Sequence, residues 1–184
     1  MKTRLDALAL LHEYVKSESL RKHCLSVAYA MEAYAEKYGE DTDKWWITGL
    51  LHDFDWEIHP SAEQHPVDGS KILREKGYDE EIIIAILGHG NHTGVKREIK
   101  MAKVLFAVDE LSGLIMALAK VRPGKFEGMD ASSVRKAMKK KDFAAAINRD
   151  DIKQGIAELG VQEDEHFILV IIRALEKNKE KLGF

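Results

Sequence analysis

Residues 98–121, EIKMAKVLFAVDELSGLIMALAKV, are apolar on nearly every side. A helix that is apolar all round belongs in the middle of a fold. The stretch therefore predicts a central core helix from about Glu98 to Val121, stopped by Arg122-Pro123-Gly124. It is not a membrane span, because its apolar run falls well short of about 18 uninterrupted residues and carries Asp109 and Glu110 at its centre. An ionised carboxylate in a core is costly unless a cation or hydrogen-bond donors meet it. What meets Asp109 is thus the first question about this chain.

The rest of the sequence supplies helices to surround that core. Leu20, His23, Cys24, Val27, Met31, Tyr34, Ala35 and Tyr38 recur at three- and four-residue steps, one face of a helix. Ser19 is its expected N-cap and Gly39 its stop. A second helix is expected from about Lys44 to Asp53, capped near Asp43, and residues 54–64 read as loop. Ser61-Ala-Glu-Gln64 has the form of a capping box with Pro66 at the first helical position, opening a helix that ends at Gly77. Asp79-Glu80-Glu81 places acids at the positive end of the next helix, which runs through IIIAIL to Gly88; HGNHTG, 89–94, is turn-rich. The Ile82–Ile84 run could be a short strand, but its flanking caps favour helix. Loop is expected over 125–131, then helices near 133–140, 143–148, 151–159 and 163–181. The expectation is an all-α fold, a single-domain helical bundle over residues 1–184.

Charge and cysteine content narrow the function. The formal net charge of -3 gives no pull towards nucleic acid or an anionic membrane. Cys24 is the one cysteine, so no internal disulfide framework exists. The first residues carry Asp6 and His12 within their apolar stretch and read as an amphipathic helix, not a signal peptide. The expected location is cytoplasmic.

Four polar side chains sit where the apolar pattern predicts none: His23 on its helix stripe, His52-Asp53 closing GLLHD, and Asp109. Each alone has an ordinary reading: a hydrogen-bonded core histidine, a helix end turning to solvent, a structural aspartate. Together they have one economical explanation, a shared divalent ion. Two imidazoles and two carboxylates suit Mn, Fe, Co, Ni or Zn.

His23, His52-Asp53 and Asp109 resemble, in order, residue type and setting, the H…HD…D pattern of the HD superfamily of metal-dependent phosphohydrolases. The resemblance covers about residues 15–120, and the whole chain is similar to a group of small single-domain predicted HD hydrolases in prokaryotes. It implies a helical metal-site core over that range, with C-terminal helices at 130–182 packing on it, and a divalent ion (Mg among the candidates) held by those four side chains. His65 in HPVDG resembles the H-P-x-x-G segment of subgroups with two metals, and ILGHGNHTG resembles the segment that supplies another histidine there. By that resemblance Asp53 bridges two ions, the second taking His65 and His89, with His92 facing substrate or standing as an alternative ligand. Departures exist: HDFDWE replaces HDIGK and no GYP motif is present, which disfavours cyclic-di-GMP as substrate, and the acidic pair of ppGpp hydrolases falls at a different offset from Asp55 and Glu57.

The activity implied is hydrolysis of a small phosphorylated molecule, a nucleotide being the leading guess, by water activated on metal and oriented by Asp53. Asp55, Glu57 and Glu110 could fix the histidine rings, though each reads more simply as a solvated or structural acid. Among the cations after the histidine turn, Lys96, Arg97, Lys120, Arg122 and Lys125, we expect Arg122 to meet phosphate, because guanidinium does so bidentately, with Lys96 as a further contact. Arg135-Lys136…Lys139-Lys140-Lys141 reads as a solvated basic face. Two rivals stay open: an HD-fold di-iron oxygenase that cleaves a C–C or C–P bond, and a non-catalytic module that binds nucleotide through the metal. The C-terminal helix, with Phe167, Ile168, Val170, Ile171, Ile172 and Leu175, could close the core or form a homodimer; closing the core is the simpler reading. His166 on it is expected at a surface or between helices.

Overall fold

The structure is a computed structural model that describes residues 2–162 and 165–184. Among the described residues the regular elements are helical and no strand is present. In chain order they are α1 (Arg4–Tyr14), α2 (Glu18–Tyr38), α3 (Thr42–Leu51), α4 (Val67–Glu75), α5 (Glu80–Gly88), α6 (Lys100–Val121), α7 (Ala131–Lys139), α8 (Arg149–Leu159) and α9 (Arg173–Lys177). A single 3-10 turn, Asn91–Thr93, follows α5, and a π-helical segment, Glu165–Ile172, leads into α9. No helix of the described residues is long and apolar enough to cross a membrane.

As its composition requires, α6 is the central rod. It packs against α2, α5, α7 and α8, and Val104, Leu105, Val108, Leu111, Leu114 and Ile115 are fully buried along it. Two glycines set the closest helix approaches. A Cβ on Gly49 of α3 would lie 2.8 Å from the Cα of Ala28 on α2, and one on Gly155 of α8 would lie 2.6 Å from the Cα of Ala107 on α6. The first of these contacts brings α2 and α3 together one turn from His23 and His52. At the end of the same bundle Val170, Ile171, Ile172 and Leu175 join the buried core.

Several local expectations are corrected. Ser17, not Ser19, caps α2, its hydroxyl accepting from the Leu20 N–H at 3.3 Å. Asp41 caps α3, and α6 begins at Lys100. Ser61–Gln64 forms a turn in which the Ser61 carbonyl accepts from the N–H groups of Gln64 and His65, so α4 starts only after Pro66. Residues 141–146 are turn instead of helix. There Ala144 has φ 46°, and the Arg149 guanidinium gathers the carbonyls of Phe143, Ala144 and Ile147 that a helix would have used. The expected helix from 163 to 181 is split: residues 163–164 and the Phe167 side chain lie outside the described residues, the π-helical segment follows, and α9 ends at Lys177. His166 is interhelical and fully buried, bonded to Tyr34 of α2 and to the Ala107 carbonyl of α6.

Candidate metal centre

His52 and His89 occupy the same local position, the residue that caps the C-terminus of a helix, α3 and α5 respectively. A helix end leaves carbonyls without partners, and each ring uses its Nδ1–H to meet one. His52 donates to the Gly49 carbonyl at 2.8 Å, and His89 donates to the Ile86 carbonyl. This fixes the tautomer: both rings present a bare Nε2 away from the helix. His65, ahead of α4, is held differently. Its Nδ1–H donates to Asp55 Oδ1 at 2.7 Å, while Asp55 Oδ2 accepts from the Gly69 N–H at 3.0 Å. His23 comes from the second turn of α2, and Asp109 from the middle of α6.

The five side chains and Asp53 form two groups, His23–His52–Asp109 and Asp53–His65–His89, whose donor atoms within each group lie within 4.8 Å of one another. In the first, His23 Nε2 stands 3.0 Å from Asp109 Oδ1 and 3.2 Å from His52 Nε2, and His52 Nε2 stands 3.3 Å from Asp109 Oδ1. In the second, His65 Nε2 stands 3.1 Å from His89 Nε2 and 3.2 Å from Asp53 Oδ1, with His89 Nε2 at 3.4 Å from the same oxygen. Asp53 joins the groups, because its other oxygen, Oδ2, lies 3.4 Å from His52 Nε2 and 3.7 Å from His23 Nε2. Donors bound to one ion at about 2.1 Å sit about 3.0 Å apart in an octahedron and about 3.4 Å apart in a tetrahedron. The spacings within each group, 3.0–3.4 Å, span those edges, while the 3.7 Å from Asp53 to His23 exceeds them.

The chemistry of the donors gives the same answer. His65 and His89 have both given their Nδ1 protons elsewhere, so two lone pairs face each other across 3.1 Å. Neutral rings cannot bond in that arrangement; a proton or a metal cation must sit between them. The surrounding charge favours a cation. Burial pushes the His52 imidazole down, but the Asp53 and Asp109 carboxylates outweigh it and hold its pKa well above the ordinary value. Burial likewise opposes charge on His65, yet Asp53 and Asp55 raise it to about 9. In turn His52, with His65 and His89, holds Asp53 well below the usual carboxylate range against its burial. His52 and His23 do the same for Asp109. The carboxylates thus favour positive charge at the imidazoles, carried by protons or, in their place, by a metal cation, so the residues present fit divalent ions.

The groups lie at the floor of a cleft of about 400 Å³. Trp56 flanks it, its ring edge-on to His65 at a centroid distance of 5.0 Å. Phe106, Ile147 and Gly90 add apolar wall, and Glu110 and Asp151 add carboxylates. Burial and the neighbouring Asp109 push the Glu110 carboxyl up to about 7. Asp151 accepts from Asn91 at 3.0 Å, tying α8 to the histidine turn.

The structure thus brings together His23, His52, Asp53, Asp109, His65 and His89. His92 stands at the rim, and its Nε2–H donates to the His65 carbonyl at 2.8 Å. Two expected phosphate contacts are elsewhere. Arg122 lies thirteen residues beyond Asp109 on the α6 line, about 20 Å away at helical rise. Its guanidinium donates instead to the carbonyls of Lys125 and Glu127, at 3.1 and 2.8 Å, closing the turn after α6. Lys96 is exposed and does not line the cleft. Glu57 accepts from the N–H groups of Lys16 and Ser17, at 2.7 and 2.8 Å, and so anchors the start of α2 rather than a ring. Trp56 and Asp151 were missed, since the first sits in an irregular loop and the second among ordinary helix-opening acids.

The HD domain profile matches residues 20–114, a little over half of the chain. The chain belongs to the HD domain family. Neither a curated protein nor a solved structure matches it. HD domains are generally metal-dependent phosphohydrolases and bind divalent ions.

Proposed function

We propose that this HD domain is a phosphohydrolase that cleaves a small phosphorylated molecule with two divalent ions, held by His23, His52, Asp53 and Asp109 and by Asp53, His65 and His89. The observation that carries the reading is the shared carboxylate: Asp53 turns one oxygen to each histidine group at the floor of an open cleft. Four imidazoles among the donors favour a transition ion such as Mn, Fe, Co or Ni over Mg.

Bound divalent ions supply a water of lowered pKa and cancel charge on phosphoryl oxygens. The chain supplies the rest. Asp53 fixes the separation of the two groups and accepts from the attacking water. Asp55 locks the His65 ring so that its Nε2 faces the site. His92 holds the His65 backbone from outside. Trp56, Phe106 and Ile147 exclude water from one side of the phosphate and offer flat apolar surface to the group it is attached to, which suits a nucleoside.

A second reading, iron-dependent oxygenation, draws on the same imidazole-rich donor set. One experiment separates them. Protein loaded in turn with Mn, Fe, Co, Ni, Zn and Mg is screened against phosphomonoesters and phosphodiesters, with dissolved oxygen monitored. Phosphate release that disappears in Asp53→Ala supports the proposal; oxygen uptake by the iron form without phosphate release selects the alternative. Nucleotide binding at full metal loading with neither reaction would make the domain a binding module.

A further inference from the structure

We infer that Arg97 is a positioning residue for His89, and that it draws its hold from α8, a helix outside the residues that the HD profile matches. For its consequence at the metal the inference rests on the two-ion reading of the cleft, and it adds how the second ligand group is kept in place. A helix end leaves carbonyls without partners, and side chains from the segment after α5 meet its last ones. The His89 ring meets Ile86, the Thr93 hydroxyl donates to Leu87 at 2.9 Å, and Arg97 Nη1 donates to Gly88 at 2.8 Å. The Gly88 carbonyl lies in the same rigid peptide plane as the His89 nitrogen. Arg97 therefore grips the plane from which the His89 side chain springs.

Arg97 is itself anchored on α8. Glu158 accepts from its Nε at 2.7 Å and from its Nη2 at 2.8 Å, a bidentate pair. The same Nη2 donates to Asn91 Oδ1 at 3.0 Å, inside the histidine turn. Asn91 Nδ2 returns to α8, donating to Asp151 at 3.0 Å and to Gln154 at 3.3 Å. Gln154 Nε2 then donates to Glu158 Oε1 at 2.7 Å and closes the ring. Asp151, Gln154 and Glu158 recur at steps of three and four, so they share one face of α8. Gly155 beside them lets that helix approach the Ala107 backbone of α6, as no residue with a Cβ could.

Burial makes the hold specific. The Arg97 side chain is 8% exposed, and its Cζ lies 3.7 Å from the centroid of the Phe106 ring, which lines the cleft. A planar guanidinium can serve the Glu158 fork, the Gly88 carbonyl, Asn91 and the ring face together; an ammonium cannot. Removing one partner of a buried ion pair leaves the other uncompensated, so the network is retained or lost as a unit. His52 offers an internal comparison. It caps α3 in the same way that His89 caps α5, yet it shares none of the Arg97 partners.

The test compares Arg97→Met and Glu158→Ala with the wild type. In the metal-free full chain, long-range proton–nitrogen NMR spectra of the histidine rings report the Nδ1–H groups of His52 and His89 separately. Arg97→Met is expected to lose or broaden the His89 signal and to leave that of His52. Glu158→Ala, at a side chain 30% exposed, is expected to keep the fold and give the same selective change. A His89 signal unchanged in either variant, or a His52 signal lost with it, overturns the proposal, since an arginine that served only the fold would move both or neither. Competition with a metal indicator dye is expected to show affinity for the second ion reduced about tenfold or more in both variants, with the first unchanged. Unchanged affinity for the second ion, or equal loss at both, also overturns it. A wild type that takes no second ion counts against the two-ion reading alone, because the ring signals are read without metal.

Discussion

His65 and His89 bring their Nε2 atoms to 3.1 Å although each ring has committed its Nδ1 proton to another acceptor. The pair, with Asp53, could hold a cation, as could the neighbouring group built on His23. Protein purified without added metal is expected to hold one ion for each group, two per chain, by elemental analysis. His65→Ala and His89→Ala are each expected to drop the content to one. If either variant keeps two, that histidine does not ligate.

On the two-ion proposal Asp55 would act on metal only through His65, which makes its contribution separable. The carboxylate is fully buried and bridges the His65 ring to the Gly69 N–H. Asp55→Asn keeps one acceptor oxygen and sets an NH2 against the second of the two donors, His65 Nδ1–H and Gly69 N–H, so affinity for the second ion is expected to fall about 10–100-fold. Gly69→Ala tests the same contact from the other side, because its Cβ would fall 2.4 Å from Asp55 Cγ. We expect it to reproduce the loss of the second ion, measured by competition with a metal indicator dye. Unchanged affinity in both variants would remove Asp55 from the site.

Asp53 and Asp109 differ in reach. Asp53 faces both groups and Asp109 one, its Oδ1 lying 3.0 Å from His23 and 3.3 Å from His52. Asp109→Ala is accordingly expected to lose the first ion and keep the second, whereas Asp53→Ala is expected to lose both. Turnover should fall about a hundredfold or more in either, beyond what an outer-shell change costs. Circular dichroism should show both variants folded, and equal metal content in the two would contradict a bridging Asp53.

How much of this could be read from the residues alone follows from the range of the forces involved. The helices were legible because their signals are local: an all-round apolar α6, Gly39 and Asp79 at the ends of α2 and α5, and acids in first turns. So were His23, His52-Asp53 and Asp109, since polar groups in apolar surroundings stand out whatever they touch. Failures lie where a distant partner decides. Ser17 and Ser19 are chemically equal caps, and their hydroxyls even bond each other at 2.8 Å; only the path from α1 makes Ser17 the boundary. The 141–146 turn depends on Arg149 reaching back for its carbonyls. Arg122 was chosen on guanidinium chemistry, but helical rise carries it far from Asp109. Asp55 looked like a solvated acid until the loop folded it beneath His65.

His166 yields the last prediction, one of stability. It is fully buried where α2 and α6 meet the π-helical segment, its Nε2–H donating to the Ala107 carbonyl at 3.3 Å and its Nδ1 accepting from the Tyr34 hydroxyl. Both ring nitrogens are thus satisfied in the neutral form. Burial, with Lys37 nearby and only partly offset by the Ala107 carbonyl, lowers its pKa from 6.5 to about 4. The unfolded chain binds this proton more readily than the folded one between those two values. The stabilisation is therefore complete above pH 6.5 and is lost as pH falls from there towards 4. On going from pH 7 to pH 5 the wild type is expected to lose about 2 kcal/mol more than His166→Gln, which keeps a donor and an acceptor but cannot titrate. Urea unfolding at matched metal content measures the difference. Identical pH dependence in the two proteins would mean that His166 titrates alike in the folded and unfolded chain, and that burial does not lower its pKa.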